Sequence, residues 1–182
     1  EDSLAIAGSY FSNADPVITG SLFRNNHATG NGGVAFFENG SDATVTGCAF
    51  VDNSAQSTGG SLYTEDAGTS LTVAASTFLD GSAASGGDIA MNSSSALVMQ
   101  GTYSCGASAS NDGGSISTFG AALNIQQSVF QGAFAGDDGG AIYSNVAVAS
   151  LINNTFVENS AAGEGAAIRV SGSTIALDFR NN

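Results

Sequence analysis

Apolar residues return along this chain at a distance far longer than a helical turn. Aromatics stand at Phe23, Phe50, Phe78, Tyr103, Phe130, Phe156 and Phe179, in steps of 27, 28, 25, 27, 26 and 23 residues. A small pair follows each of the first six. Its second members, Gly33, Gly60, Gly87, Gly114, Gly140 and Ala166, step by 27, 27, 27, 26 and 26. The segments FRNNHATGNGG, FVDNSAQSTGG, FLDGSAASGG, YSCGASASNDGG, FQGAFAGDDGG and FVENSAAGEGA lie under one another as a repeat of about 26 residues, a period that marks a stacked architecture.

Three apolar columns run through the repeat, and none has helical period. Ala35, Leu62, Ile89, Ile116, Ile142 and Ile168 follow the small pair. Ile18, Val45, Val73, Val98, Ile125 and Leu151 stand five residues before the aromatic, which is itself the third column. Two-residue alternation, as in Thr44-Val45-Thr46 and Ser70-Leu71-Thr72-Val73, reads as half-buried strands. Three short strands per repeat, with turns too short for helices, predict an all-β fold. The expected form is a single-stranded parallel β-helix of about seven rungs, one domain over residues 1–182. Rungs rise about 4.8 Å, so like residues stack on like. Ala28, Ala55, Ala83, Ala135 and Ala161 then line a tight corner, and Asn26, Asn53, Asn159 and Asn182 share a turn where Asn tolerates left-handed backbone.

The F-x-x-N and G-G-A-I patterns, seen in FVDNSAQSTGGSLY and FQGAFAGDDGGAIY, resemble the repeats of the chlamydial polymorphic outer-membrane proteins. The resemblance spans residues 21–182 and implies a right-handed parallel β-helix on a cell surface. Gly81, Gly106 and Ala133 replace the motif Asn in three consecutive rungs. An adhesin-like passenger domain is therefore an alternative reading.

Composition narrows the function. Sixteen acidic residues face three arginines and no lysine, for a net charge of −13, which repels phosphate backbones and anionic lipid. Nucleic acid is excluded as a partner, and no apolar run approaches the roughly 20 residues of a membrane span. Polysaccharide-active β-helices resemble one another in needing Arg, Lys or His over a carboxylate-lined cleft. With one His and no Lys, no enzyme is expected. Ice binding would need unbroken outward threonine columns, and Thr44, Thr46, Thr72, Thr77, Thr102 and Thr155 do not form them. Phe36, Tyr63 and Tyr143 are expected as exposed aromatics on one face, where neighbouring loops or glycans cover them or a partner stacks.

Three further sets of residues carry expectations. The sequons at Asn39, Asn92 and Asn153 predict N-glycans, and Asn39 and Asn92 fall at one corner of different rungs. Asp112, Asp138 and Glu164 precede the small pair on consecutive rungs, close enough to repel or to hold a structural Ca2+. Cys48 and Cys105 lie two rungs apart, beyond the roughly 7 Å reach of a disulfide between Cα atoms.

The chain ends on LDFRNN, and SLFRNN occurs at residues 21–26. Joining Phe179, Arg180, Asn181 and Asn182 to Glu1 of a second copy reaches Phe23 after one repeat length, with Leu4 and Ile6 supplying a strand. On that phase an extracellular structural protein is expected. Copies stack head to tail as a fibre, with Phe179 and the next Phe23 in one ladder; the same phase arises in an excerpt of a tandem array.

Overall fold

The structure, a computed structural model, describes residues 8–93, 95–145, 148–172 and 176–182. Among them the regular elements are strands, coiled into a parallel β-solenoid with four strands per rung. The first sheet stacks Ser9–Ser12, Ala35–Glu38, Leu62–Thr64, Ile89–Asn92, Ile116–Phe119, Ile142–Asn145 and Ile168–Ser171. The second stacks Val17–Thr19, Asp42–Thr46, Ser70–Ala74, Ala96–Gln100, Ala122–Gln126, Val148–Ile152 and Ala176–Arg180. The third runs from Leu22–Arg24 to Thr155–Val157 and the fourth from His27–Ala28 to Ser160–Ala161, six strands each. All pairings are parallel, with each strand bonded to its counterpart one rung away.

Corners exist because one residue at each adopts the left-handed region. At the bend between the second and third sheets that residue is Gly20, Gly47, Ala75, Gly101, Gln127, Asn153 or Asn181, with φ between 47° and 63°. The bend into the first sheet is tighter. A Cβ on Gly60 would lie 2.0 Å from the Gly87 carbonyl oxygen of the next rung, so only glycine lets successive backbones pass there.

The interior is columnar. Phe23, Phe50 and Phe78 stack with centroids 5.1 and 4.6 Å apart, and Phe130 on Phe156 at 5.2 Å. The Ala35–Leu62–Ile89–Ile116–Ile142–Ile168 column stands in register as expected. So does the alanine corner, which Ala109 joins. These columns make the core that positions everything else.

Several expectations are corrected. Each rung has four strands, not three, because the two-residue Ser-Ala segments form their own ladder. Tyr103 is not in the aromatic column. Phe78 pairs with Ser104 and Ser104 with Phe130, while Tyr103 faces outward beside Thr77 and Val129. Met99 rather than Val98 accordingly lies in the second-sheet core column, and Val98 is exposed. In the turn column the replacement for Asn is Ala107, one residue past Gly106, because Ser108 pairs with Ser82 and Phe134.

Phe179 pairs with Leu151 in the second sheet, not with Phe156 in the third, so LDFRNN and SLFRNN are not structural equivalents. Arg24 and Arg180 therefore occupy different sheets. Asn182 joins Asn154, whose backbone N–H and Nδ2 both donate to its Oδ1, rather than the Asn26–Asn53 corner. Phe179 therefore does not continue the Phe23–Phe50 ladder within this chain. Glu1, Leu4 and Ile6 lie outside the described residues.

Ser104 breaks the aromatic stack, and Asp88 fills the gap. Replacing Ser104→Phe alone should lower the urea midpoint, because it strips the buried carboxyl of its hydroxyl donor at about 1–3 kcal/mol. Combined with Asp88→Ala, the same change should raise the midpoint above wild type by burying a new ring, about 1.5–3 kcal/mol. Equilibrium unfolding of both variants checks the sign reversal.

Candidate functional site

Two polar constellations stand out, one on the surface and one in the core. The surface set grows from the turn preceding the glycine pair. Its column reads Asn31, Thr58, Ser85, Asp112, Asp138 and Glu164. Each side-chain oxygen here can accept from the next rung: Thr58 N–H donates to Asn31 Oδ1, Asp138 N–H to Asp112 Oδ1, and Glu164 N–H to Asp138 Oδ1 at 2.6 Å. Carboxylates arise at these positions because they satisfy turn amides that have no strand partner.

The expected stack of Asp112, Asp138 and Glu164 is therefore present as a column, with Asp137 added. Oxygens of Asp112, Asp137 and Asp138 lie within 4.8 Å of one another. Asp112 is held above the ordinary carboxylate range, first by burial and then by the charges of Asp137 and Asp138. Arg169 closes the other end of the column. Its Nε lies 3.2 Å from Asp138 Oδ2 and 3.1 Å from Glu164 Oε2, and its guanidinium sits 5.7 Å from the Tyr143 ring centroid. The guanidinium thus supplies part of the positive charge a divalent ion would bring. Both oxygens of Asp138 are engaged, Oδ1 by Glu164 N–H and Oδ2 by Arg169, so a Ca2+ here would draw mainly on Asp112 and Asp137.

Aromatics expected on an open face are mostly covered. Tyr10, Phe36, Tyr63, Ala90, Ser117, Tyr143 and Arg169 form one outward column of the first sheet. Yet Tyr63 is only 4% exposed and Tyr143 only 8%. The turn before the glycine pair folds back over this column, close enough that a Cβ on Gly113 would lie 3.0 Å from Ser117 Cα. Tyr10 remains exposed, stacked edge-on against Phe36 and bonded through its hydroxyl to Glu38.

The sequons sit at corners. Asn39 is exposed with φ 56°, and its Nδ2 donates to Ser12 Oγ and Glu38 Oε1. Asn92 ends its first-sheet strand one register position earlier, beside Glu65 rather than Asp66. The two share a corner but not a column. Asn153 stands at the next corner, between the second and third sheets, with φ 56°. Cys48 is buried at that corner, where its thiol lies 3.5 Å from the Ile18 and Thr46 carbonyls; Cys105 is half-buried on the third sheet, two rungs away. His27 is on the surface, its Nδ1 2.9 Å from Ser54 Oγ.

The core constellation went unread in the sequence. Asp88, 2% exposed, accepts a hydrogen bond from Ser104 Oγ–H at 2.6 Å through Oδ2, and Ser104 Oγ lies 2.8 Å from Ser115 Oγ. Its Oδ1 has no partner and presses on Gly81, where a Cβ would come within 2.2 Å. Spacing could have revealed it. Phe23, Phe50, Phe130 and Phe156 each stand ten residues before the second small residue, and in the fourth rung that position is Ser104, not Tyr103.

No family model, curated protein or solved structure compared with this chain matches it. The likeness to polymorphic outer-membrane repeats thus rests on the motif alone.

Arg169→Ala should lower the thermal midpoint in chelator, since it removes a partly exposed ion pair and a cation–π contact. Millimolar calcium should recover the loss in the variant and move the wild type less. Scanning calorimetry of both proteins with and without calcium tests this; a midpoint unmoved by calcium in the variant removes the carboxylates as a cation site.

Proposed function

We propose that this protein is an extracellular structural β-solenoid, N-glycosylated at Asn39, Asn92 and Asn153, whose last rung receives a further rung in a fibre or surface array. One observation carries the reading. The outer edge of Ile168–Ser171 and Ala176–Arg180 borders a recess of about 680 Å³ lined by Phe156, Ala167, Ile168, Val170, Phe179 and Asn182. Phe179 is 50% exposed there. An edge of this kind presents unpaired strand amides and carbonyls together with core side chains, which is a template for another parallel strand.

The residues that receive the rung differ in role from those inferred from chain phase. Phe179 extends the Val45–Val73–Met99–Ile125–Leu151 column, so the incoming residue over it is aliphatic or aromatic and belongs to a second-sheet strand. Ile18 of a second copy has that character. So does any continuing β-helical chain, and both sources offer the same parallel edge.

Cross-rung bonding supports a structural role. Parallel backbone ladders in four sheets join successive rungs, the third and fourth sheets ending at Thr155–Val157 and Ser160–Ala161, and side-chain bonds at the corners add to them, such as Asn26 to Asn53 and Asn154 to Asn182. The F-x-x-N and G-G-A-I motif supports a second reading, the passenger of a surface adhesin, in which the same rod displays loops rather than polymerising. Neither reading assigns catalysis, a nucleic acid or membrane insertion to the chain.

Negative-stain images of the concentrated protein should contain long fibres about one solenoid wide, and Phe179→Asp should leave the strand circular dichroism unchanged while abolishing them. Short separate rods at all concentrations would favour the passenger reading. Peptide mapping of the protein from a glycosylating host should find sugar at Asn39 and Asn92, and its absence from both overturns the glycan assignment.

A further inference from the structure

The Asp88–Ser104–Ser115 cluster has no part in the reading above. It lies where the aromatic stack is interrupted, with Phe50 on Phe78 to one side and Phe130 on Phe156 to the other. The hydroxyls form a chain in which Ser115 can donate to Ser104 while Ser104 donates to the carboxyl. That chain ends on Oδ2. The second carboxyl oxygen has no partner.

Nothing nearby compensates a negative charge at this point. The chain has no lysine. Arg24 pairs with Asp52, Arg169 with Asp138 and Glu164, Arg180 with Asp178, and His27 lies against Ser54 on the first rung. Among the described residues the charged side chain that acts on Asp88 is Asp80, at the corner after Thr77–Leu79, and it is acidic too. The other neighbours of Asp88 are uncharged: Gly81, Ser104 and Ser115, with the backbone N–H groups of Ser61 and Leu62 donating to its backbone carbonyl. A buried carboxylate with a single hydroxyl donor is costly, whereas the protonated acid carries no charge to solvate.

We infer that this cluster is an acid-closed joint in the solenoid. With Asp88 protonated the rung is shut and the rod continuous; with Asp88 ionised the rung carrying Ile89–Asn92 and its neighbour Ile116–Phe119 loosen to admit water, while the aromatic-stacked rungs on either side hold. Burial pushes the Asp88 carboxyl up to about 7, with the Ser104 bond opposing and Asp80 adding to the rise. A group whose folded value is raised stabilises fully below its unfolded value near 4. That stabilisation is lost as pH rises through about 7. The window from pH 6 to 8 brackets the Asp88 transition, and the Asp88 and Ser104 variants separate it from any other group that ionises there.

Hydrogen exchange read by mass spectrometry, corrected for the intrinsic pH dependence of exchange, tests this on the full chain. Between pH 6 and 8, peptides covering 77–92 and 103–119 should lose protection about tenfold or more, while those covering 43–55 and 129–144 keep it. Asp88→Asn should flatten the response. Ser104→Ala, which removes the bond opposing the rise, should move the transition to higher pH and serves if the Asn variant fails to fold. Protection that is independent of pH, lost equally on all rungs, or unchanged in its pH dependence by both substitutions overturns the inference.

Discussion

Everything in this fold depends on corners that fall in step. A parallel ladder closes only if each strand begins at the same place as the strand one rung away, and that place is set by a single left-handed residue. For an L-residue other than Gly, Asn or Asp the left-handed region costs about 1–2 kcal/mol. Of the twelve non-glycine residues with positive φ among those described, eight are Asn or Asp. The richness in Gly, Asn and Asp is thus the composition of a chain that turns four times per rung. Its acidity follows in part from the same need, since Asp52, Asp66 and Asp80 are corner residues before they are charges.

Once corners coincide, polar groups left over by the turns must be paired along the axis. The protein does this with short side chains that accept from the rung beside them: Cys48 N–H to Ser76 Oγ, Thr102 N–H to Ser128 Oγ, Ser128 N–H to Asn154 Oδ1. The glycine approach at the opposite corner removes any side chain from the tightest bend. What remains inside is mostly apolar, with neutral hydroxyls paired across rungs, as Thr64 with Ser95 and Thr118 with Ser144. Asp88 is intelligible against that background as a fully buried carboxyl held by one hydroxyl, Ser104, which is itself bonded to Ser115. Gly81 is part of it, because the space an asparagine would take in the Asn26–Asn53 column is occupied by the carboxyl.

Much of this was legible in the order of residues. The aliphatic column after the glycine pair, the alanine corner and the outward Phe36–Arg169 column were all readable from spacing, because the chain between the second-sheet core residue and the third-sheet aromatic has constant length. Ile18 to Phe23, Val45 to Phe50 and Leu151 to Phe156 are each five residues apart. What could not be read is where a rung gains or loses a residue. The bend between the first and second sheets absorbs most of the variation, and the bend from the fourth sheet to the first is one residue shorter between Ala83 and Ile89 than between Ala55 and Leu62. Thr44 pairs with Thr72, 28 residues on, and Thr72 with Val98, 26 residues on. Ser150 pairs with Asp178, again 28 residues on, and Phe179 falls in the second sheet despite its Arg-Asn-Asn context. Tyr103 misled for a related reason: an aromatic beside the true core position outweighed the serine that fills it.

The claim on which the account rests is the register that puts Ser104, not Tyr103, between Phe78 and Phe130, since it creates the polar break in an aromatic core. Nuclear Overhauser spectra of the protein labelled at Ser and Phe test it directly. Cross-strand neighbours in a parallel ladder lie about 4.8 Å apart, so the Ser104 β-protons should show cross-peaks to the ring protons of both Phe78 and Phe130, and the Tyr103 ring to neither. Cross-peaks from the Tyr103 ring to Phe78 and Phe130, with none from Ser104, would contradict it.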